Sequence, residues 1–403
     1  MNHLKKTNST LFFIFILAFT FLCFFYYDDL WSALGVQIVK PIFNDSRVIT
    51  AGAESYYQGF DPLVNNPAMW SKNPMNYPRV WHTLFYFGLN QSHTLLIGYL
   101  MLACYLVAVL LLLRVSKNTL THFLITCCAL SPAAMLGVER GNIDLLIFLM
   151  VTVAAMYVDK RPLVTASILI FSTVLKIFPL FCLPIIVMAS TKKNLIRIFI
   201  ISTLACLAYF AFTYQDLILI SNSTPRAGDL SYGRSVFANR MKGNTPTNFA
   251  IYVDIVINTL FVLATACAYF VSKKLLLSNP QELNALEGKG FFLAGALVYI
   301  GTFFIGNNWD YRLIFLMLMI PTLVSSLNVF SNRMARRCTT IFITALLLSF
   351  WYLFFARYLN DFPQARIALY CFDESVDWVI YMLCLSFVFK FLCLGFKKNE
   401  REQ

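Results

Sequence analysis

Three carboxylates, Asp45, Glu54 and Asp61, fall in one long polar stretch, from about residue 28 to 93, of a chain that is otherwise mostly apolar. A carboxylate near an apolar interface has its proton affinity tuned by its surroundings and can serve as a general base. Asp45, in Asn44-Asp45-Ser46-Arg47, fits that role or the plainer one of capping a helix or a solvated turn. Asp61-Pro62 reads first as a turn. In Asn76-Tyr77-Pro78-Arg79-Val80-Trp81, the Arg79 fork matches a phosphate, or else it snorkels while Trp81 joins an interfacial belt.

Three shorter polar turns put charge at the ends of apolar runs. They are Glu139-Arg140-Gly141-Asn142 followed by Asp144, Lys176-Ile177-Phe178-Pro179, and Asn307-Asn308-Trp309-Asp310-Tyr311-Arg312. Ionisable groups at membrane depth are costly, and a functional role is the default expectation for them. Glu139 and Arg140 can equally close a helix turn as an ion pair. Lys176 follows a long uncharged run and needs an anion, water or a carboxylate. Asp310 and Arg312 flank Tyr311 and can pair with each other or with other loops. No P-loop or GxGxxG supports a nucleotide or nucleotide-sugar donor, so any phosphate chemistry falls to Arg and Lys. No histidine–cysteine spacing predicts a metal site, and the eleven cysteines form no disulfide framework. No cofactor is expected; a metal requirement stays open.

These residues have to be positioned by a membrane bundle. At 59% hydrophobic and 13% charged, with long uncharged runs, the 403 residues do not suit a soluble globule. The apolar runs predict an all-α polytopic membrane protein, one domain over 1–403. Its spans fall at about 11–27, 94–113, 119–136, 143–158, 163–176, 178–190, 194–214, 248–271, 291–305, 313–330, 339–356 and 378–396. Twelve is the expected number, within a range of ten to thirteen, because 163–176 and 178–190 read either as two short helices or as a re-entrant hairpin. Long outer loops are predicted at 28–93, 215–247 and 357–377.

Charge sets the orientation. One set of alternate loops carries 18 basic residues against five acidic ones, and the opposite set carries 13 against 15. The positive-inside rule then places both termini in the cytoplasm and the 28–93 loop on the outer, periplasmic face of a bacterial-type inner membrane. The basic residues flank helices in pairs and build no continuous patch, which argues against a nucleic-acid partner. Lys5 and Lys6 before an apolar run that ends in bulky aromatics predict an uncleaved anchor.

The order of these motifs resembles the C-superfamily (GT-C) of membrane glycosyltransferases, and within it family 87, the polyprenyl-phosphate-sugar-dependent mannosyltransferase-like group. The resemblance spans roughly residues 10 to 330. It rests on Asp45 followed by Ala51-Gly52-Ala53 and Tyr56, Gly59-Phe60-Asp61-Pro62, Asn76-Tyr77-Pro78, Glu139-Arg140-Gly141-Asn142, and Lys176 with Pro179. Two departures bear on donor and acceptor identity: Tyr77-Pro78-Arg79 replaces a Tyr-Pro-Pro turn, and the Asn307–Arg312 cluster stands where a later His is sometimes found.

The resemblance implies a GT-C-like fold and an inverting transfer of a hexose, such as mannose, from a polyprenyl-phosphate donor to a cell-envelope glycan or glycolipid. Asp45 is then the catalytic base. Lys176, Arg79, Arg140 and Arg312 are the expected donor-phosphate ligands, and Asp61, Tyr77, Glu139, Asn142, Trp309 and Asp310 the expected substrate contacts. Two other classes compete. One is a secondary transporter using Asp144, Lys176, Asp254 and Asp310 as coupling groups. The other is a polysaccharide polymerase or ligase acting on undecaprenyl-linked glycans.

Overall fold

Apolar runs without water must satisfy their backbone hydrogen bonds internally, and here they do so as helices. The computed structural model describes residues 2–188, 193–226, 228–242, 247–274 and 280–399. Six of its helices are long and apolar enough to cross a membrane: Gln91–Leu113, Leu195–Phe212, Ile251–Lys273, Asp310–Val329, Arg333–Tyr358 and Pro363–Leu392. Two bent pairs raise the number to eight if each is one span. Ser9–Phe25 turns by 118° into Tyr27–Leu34, and Thr119–Ala129 turns by 52° into Pro132–Arg140.

The described parts of the expected twelve apolar segments appear as helical stretches, though not all with spanning length, and residues 189–190 of the expected 178–190 segment lie outside the described residues. Asp144–Tyr157, Pro162–Leu175, Phe178–Val187 and Lys289–Ile305 are shorter apolar helices. A helix of about 14 residues rises only ~21 Å, short of a ~30 Å hydrocarbon core. The chain is therefore an all-α membrane-type bundle with six to eight helices of crossing length among the described residues.

The predicted outer loops are largely structured. The 28–93 stretch holds the helices Tyr27–Leu34 and Asn44–Tyr57 and the 3-10 helix Arg79–Phe87. Gly35 ends the first of these in the left-handed region, at φ 82°. A Cβ there would also meet the Leu353 carbonyl oxygen at 2.4 Å, so both conformation and space require glycine. In the 215–247 stretch, Ser231–Tyr232 pairs antiparallel with Asn308–Trp309, Ser231 opposite Trp309 and Tyr232 opposite Asn308. That short ladder ties this stretch to the Asn307–Arg312 turn.

The expected loop at 357–377 needs correction. A helix starts at Pro363 and runs to Asn399, so Asp373, Glu374 and Asp377 are helical and buried. Proline suits a helix's first turn, where its missing N–H has no intrahelical partner to lose. Of the three, Asp377 is met by polar groups from other helices: the Ser349 hydroxyl donates to Asp377 Oδ1 at 3.1 Å, and the Tyr299 hydroxyl lies 3.4 Å from the same oxygen.

A wedge sets the height of the Asn44–Tyr57 helix. Phe43, at φ 59°, is fully buried before its first turn, and its ring occupies the space beside Gly98 and Gly141. A Cβ on Gly98 would stand 2.1 Å from the ring. Gly98→Ala is expected to lower stability by about 1–3 kcal/mol through overpacking, seen as a lower unfolding midpoint in detergent. An unchanged midpoint would mean that the ring moves aside freely and the wedge sets nothing.

Candidate functional site

Asp45 sits in the first turn of the Asn44–Tyr57 helix, held against the turn that follows Pro132–Arg140. That second helix starts well, with the Ser131 hydroxyl accepting from the Ala134 N–H and Pro132 at its first position. It stops at Gly141, in the left-handed region at φ 56°. Two bonds lock the elements together: the Ser46 hydroxyl donates to the Gly141 carbonyl at 2.6 Å, and the Phe43 N–H donates to the Glu139 carbonyl at 3.2 Å.

Asn142, fully buried, connects the pieces. Its Oδ1 accepts from the Asp144 N–H at 2.8 Å and from Lys176 Nζ at 3.2 Å. Those two donors fix the amide's orientation, so Nδ2 faces the Asp45 carboxylate and donates to Oδ2. The same Nδ2 lies 3.4 Å from the Tyr77 hydroxyl.

The cations come to this turn already partnered. Lys176 Nζ is 2.6 Å from Asp144 Oδ1, and Arg312 Nε is 3.0 Å from Asp144 Oδ2. Lys176 also lies over the Tyr77 ring at 5.2 Å, while Arg312 lies over Phe178 at 5.0 Å and donates to Asn308 Oδ1 at 2.6 Å. Glu139 and Arg140 pair with each other at 3.3 Å. Glu139 further accepts from the Tyr27 hydroxyl at 2.6 Å and the Val39 N–H at 3.1 Å, and Arg140 stacks over Trp309 at 5.5 Å.

Part of this assembly borders a cavity of about 230 Å³, while Asn142, Asp144, Lys176, Arg312 and Glu139 are not among the residues that line it. Asp45, Trp70, Tyr77, Arg140, Trp309 and Tyr311 are among its walls. Burial raises the Asp45 carboxyl above the usual carboxylate range, although Arg140, the Asn142 hydrogen bond and Lys176 pull the other way. Burial likewise holds the Tyr77 phenol well above its ordinary value. Trp309 and Tyr311 stack nearly parallel, with centroids 6.0 Å apart.

Three sequence candidates lie elsewhere. Arg79 is gripped by Asp61 through two bonds of 3.1 Å and by Asp216 at 2.8 and 3.0 Å. Those bonds, Asp216 first, raise the guanidinium further, whereas hydrogen bonds from Arg79 and the Leu63 N–H overcome burial and lower Asp61. This clamp fastens the 28–93 stretch to the helix Tyr214–Ser223. Asp310, the third, donates its backbone N–H to the Leu230 carbonyl at 3.0 Å and is buried near Asp229, Glu374 and Asp377. Of the transporter set, Asp144 and Lys176 pair, Asp310 stays with the acids, and Asp254 is exposed on Thr247–Lys274.

Sequence reasoning missed Trp70 and Tyr311 as cavity walls and Asp216 as the partner of Arg79. The aromatic content of the 28–93 stretch hinted at Trp70, and the place of Tyr311 between Asp310 and Arg312 hinted at the second. Among the described residues, no three His, Cys, Asp or Glu side chains group as metal ligands. No family model, curated protein or solved structure matches the chain.

Proposed function

We propose that the chain is an inverting membrane glycosyltransferase that moves a hexose from a polyprenyl-phosphate donor to an envelope glycan or glycolipid. The observation that carries this is the Asp45 carboxylate, oriented by Asn142 and set in a cavity walled by Trp70, Tyr77, Trp309 and Tyr311. Aromatic faces suit the C–H faces of a sugar ring, and a few fixed polar groups orient it. A carboxylate raised by burial is suited to taking a proton from an acceptor hydroxyl.

In the reaction, the acceptor oxygen attacks the anomeric carbon as its proton passes to Asp45. The bond from that carbon to the phosphate oxygen breaks, and polyprenyl phosphate leaves. Charge balance supports this assignment. Lys176 and Arg312 share one carboxylate, Asp144, so their excess positive charge is offset by Asp45. Protonating Asp45 removes that offset at the moment negative charge develops on the departing phosphate. Lys176 and Arg312 are then the cations that act, and Arg140 lies at the cavity wall. Arg79 serves as a strut instead.

The test is reconstitution of the full chain in lipid nanodiscs with a polyprenyl-phosphate-linked hexose and envelope-type acceptors. Release of polyprenyl phosphate together with an anomerically inverted product is expected. An intact donor, with solute uptake in proteoliposomes instead, would replace this reading with the transporter.

The reading also puts both termini in the cytoplasm, twelve crossings or partial crossings in the bundle, and the Asp45 segment outside an inner membrane. Val64, 61% exposed, reports on this. With exposed Cys267 and Cys371 replaced, Val64→Cys should label with an impermeant maleimide from the outer side. Labelling only after the cytoplasmic face is opened would invert the topology.

A further inference from the structure

Lys176, Arg312 and Arg140 already have carboxylate partners, so a further phosphate group needs cations of its own. A second cavity, of about 620 Å³, adjoins the first and shares the Trp309 wall. Gln37 also lines it, and Arg140 approaches Gln37 at 3.5 Å. Its walls include Arg226, Arg357 and Arg366, with Asp229 the one acid among the lining residues.

Among the residues that line the cleft, three arginines stand against one carboxylate. Asp229 is already shared by Arg366, at 2.6 Å, and by Arg240. Among the described residues, neither Arg226 nor Arg357 has a hydrogen-bond or ion-pair partner. The Tyr352 hydroxyl, on a side chain only 2% exposed, also has no partner among the described residues. Its oxygen is closed off from the cleft, so the groups placed to meet an anion there are the two arginines.

The position of the cleft specifies the kind of anion. Its lining comes from residues just past the bent Ser9–Leu34 pair, from the end of Arg333–Tyr358 and from the start of Pro363–Leu392, all apolar helices of crossing character. Beside it, Phe355, Tyr358, Phe362 and Ile367 are exposed. Cations at the end of an apolar helix cluster, with bare apolar side chains next to them, fit a phosphorylated headgroup whose tail follows the helices.

We propose that Arg226 and Arg357 form a binding site for the phosphate or diphosphate headgroup of a polyprenyl lipid, separated from Asp45 by Trp309. The choice of a polyprenyl lipid rests on the transferase reading; the phosphate site does not. Binding is therefore measured without turnover. The full chain in phosphatidylcholine nanodiscs is titrated with undecaprenyl phosphate, undecaprenyl diphosphate, undecaprenol and inorganic phosphate, and retained lipid is read by native mass spectrometry.

One or both phosphorylated lipids should bind, and which binds better identifies a donor-like or an acceptor-like headgroup. Undecaprenol should not compete, and inorganic phosphate should compete only in large excess. Arg226→Gln with Arg357→Gln should weaken binding by about tenfold for each charge-assisted hydrogen bond removed. Both arginines are exposed, so the unfolding midpoint should be unchanged. Undiminished binding by the double variant overturns the site, as does undecaprenol competing as well as its phosphate. Displacement by equimolar inorganic phosphate overturns the lipid assignment. Should the double variant unfold, the competition series on the unaltered chain still decides. Binding retained with no transfer from any donor would sink the transferase reading alone.

Discussion

Asp45→Asn is expected to cut transfer by about 10²–10⁴-fold, the usual contribution of a positioned base. Lipid binding and folding should be little changed, since the amide keeps the size of the carboxylate in the first turn of the same helix. The pH profile supplies the second readout. Burial raises the Asp45 carboxyl, and the base works only when deprotonated. Transfer by the unaltered chain should therefore fall as pH drops through a value above the ordinary carboxylate range, and recover as pH rises. Near wild-type turnover in Asp45→Asn would remove Asp45 from the chemistry and move attention to Asp61 or Glu54. Of these, Asp61 is engaged by Arg79, and Glu54 Oε2 accepts from the Gln91 N–H at 3.1 Å.

The largest effect on stability should come from Asp144→Asn. Asp144 is fully buried and bonds both Lys176 and Arg312, whose side chains are 13% and 16% exposed. The neutral amide leaves two nearly buried cations without a carboxylate in contact, and breaking such an arrangement costs about 3–5 kcal/mol. The unfolding midpoint should drop sharply, and adding Lys176→Met should restore part of it by removing one of the stranded charges. Lys176→Met alone leaves the Arg312–Asp144 pair intact, so it should fold and show weakened transfer. An Asp144→Asn protein that melts like the unaltered chain would show that water or a rearranged side chain already neutralises the cluster.

The helices were the most legible part of the sequence because continuous apolar runs leave the backbone few alternatives. The expected 94–113 segment is the helix Thr94–Leu113. Length was less legible, since short apolar helices packed against neighbours look the same in sequence as crossing ones. Asp373, Glu374 and Asp377 misled for a related reason: their charge suggests a solvated loop, while they lie buried on a helix where Asp377 meets Ser349 and Tyr299 from other helices. At the site, Asp45, Tyr77, Glu139, Arg140, Asn142, Lys176, Trp309 and Arg312 were singled out from sequence and do converge around one turn. Their pairing was not legible. Lys176 has no acid close by in the chain, and Asp144 reaches it only through the packing of Asp144–Tyr157 on Pro162–Leu175. Arg79 looked available for phosphate because Asp216 lies 137 residues away.

The Arg79 clamp lies where solution ions can reach it. Its guanidinium is 41% exposed and its partners Asp61 and Asp216 are 40% and 18% exposed, against 13% and 1% for Lys176 and Asp144. Mobile ions screen such contacts over about 10 Å at 0.1 M salt, and buried pairs far less. The protein thus has two fastenings around one cleft that respond differently to salinity. Brine in the surrounding medium would slacken the hold of the 28–93 stretch on the helix Tyr214–Ser223 while the charges below stay put.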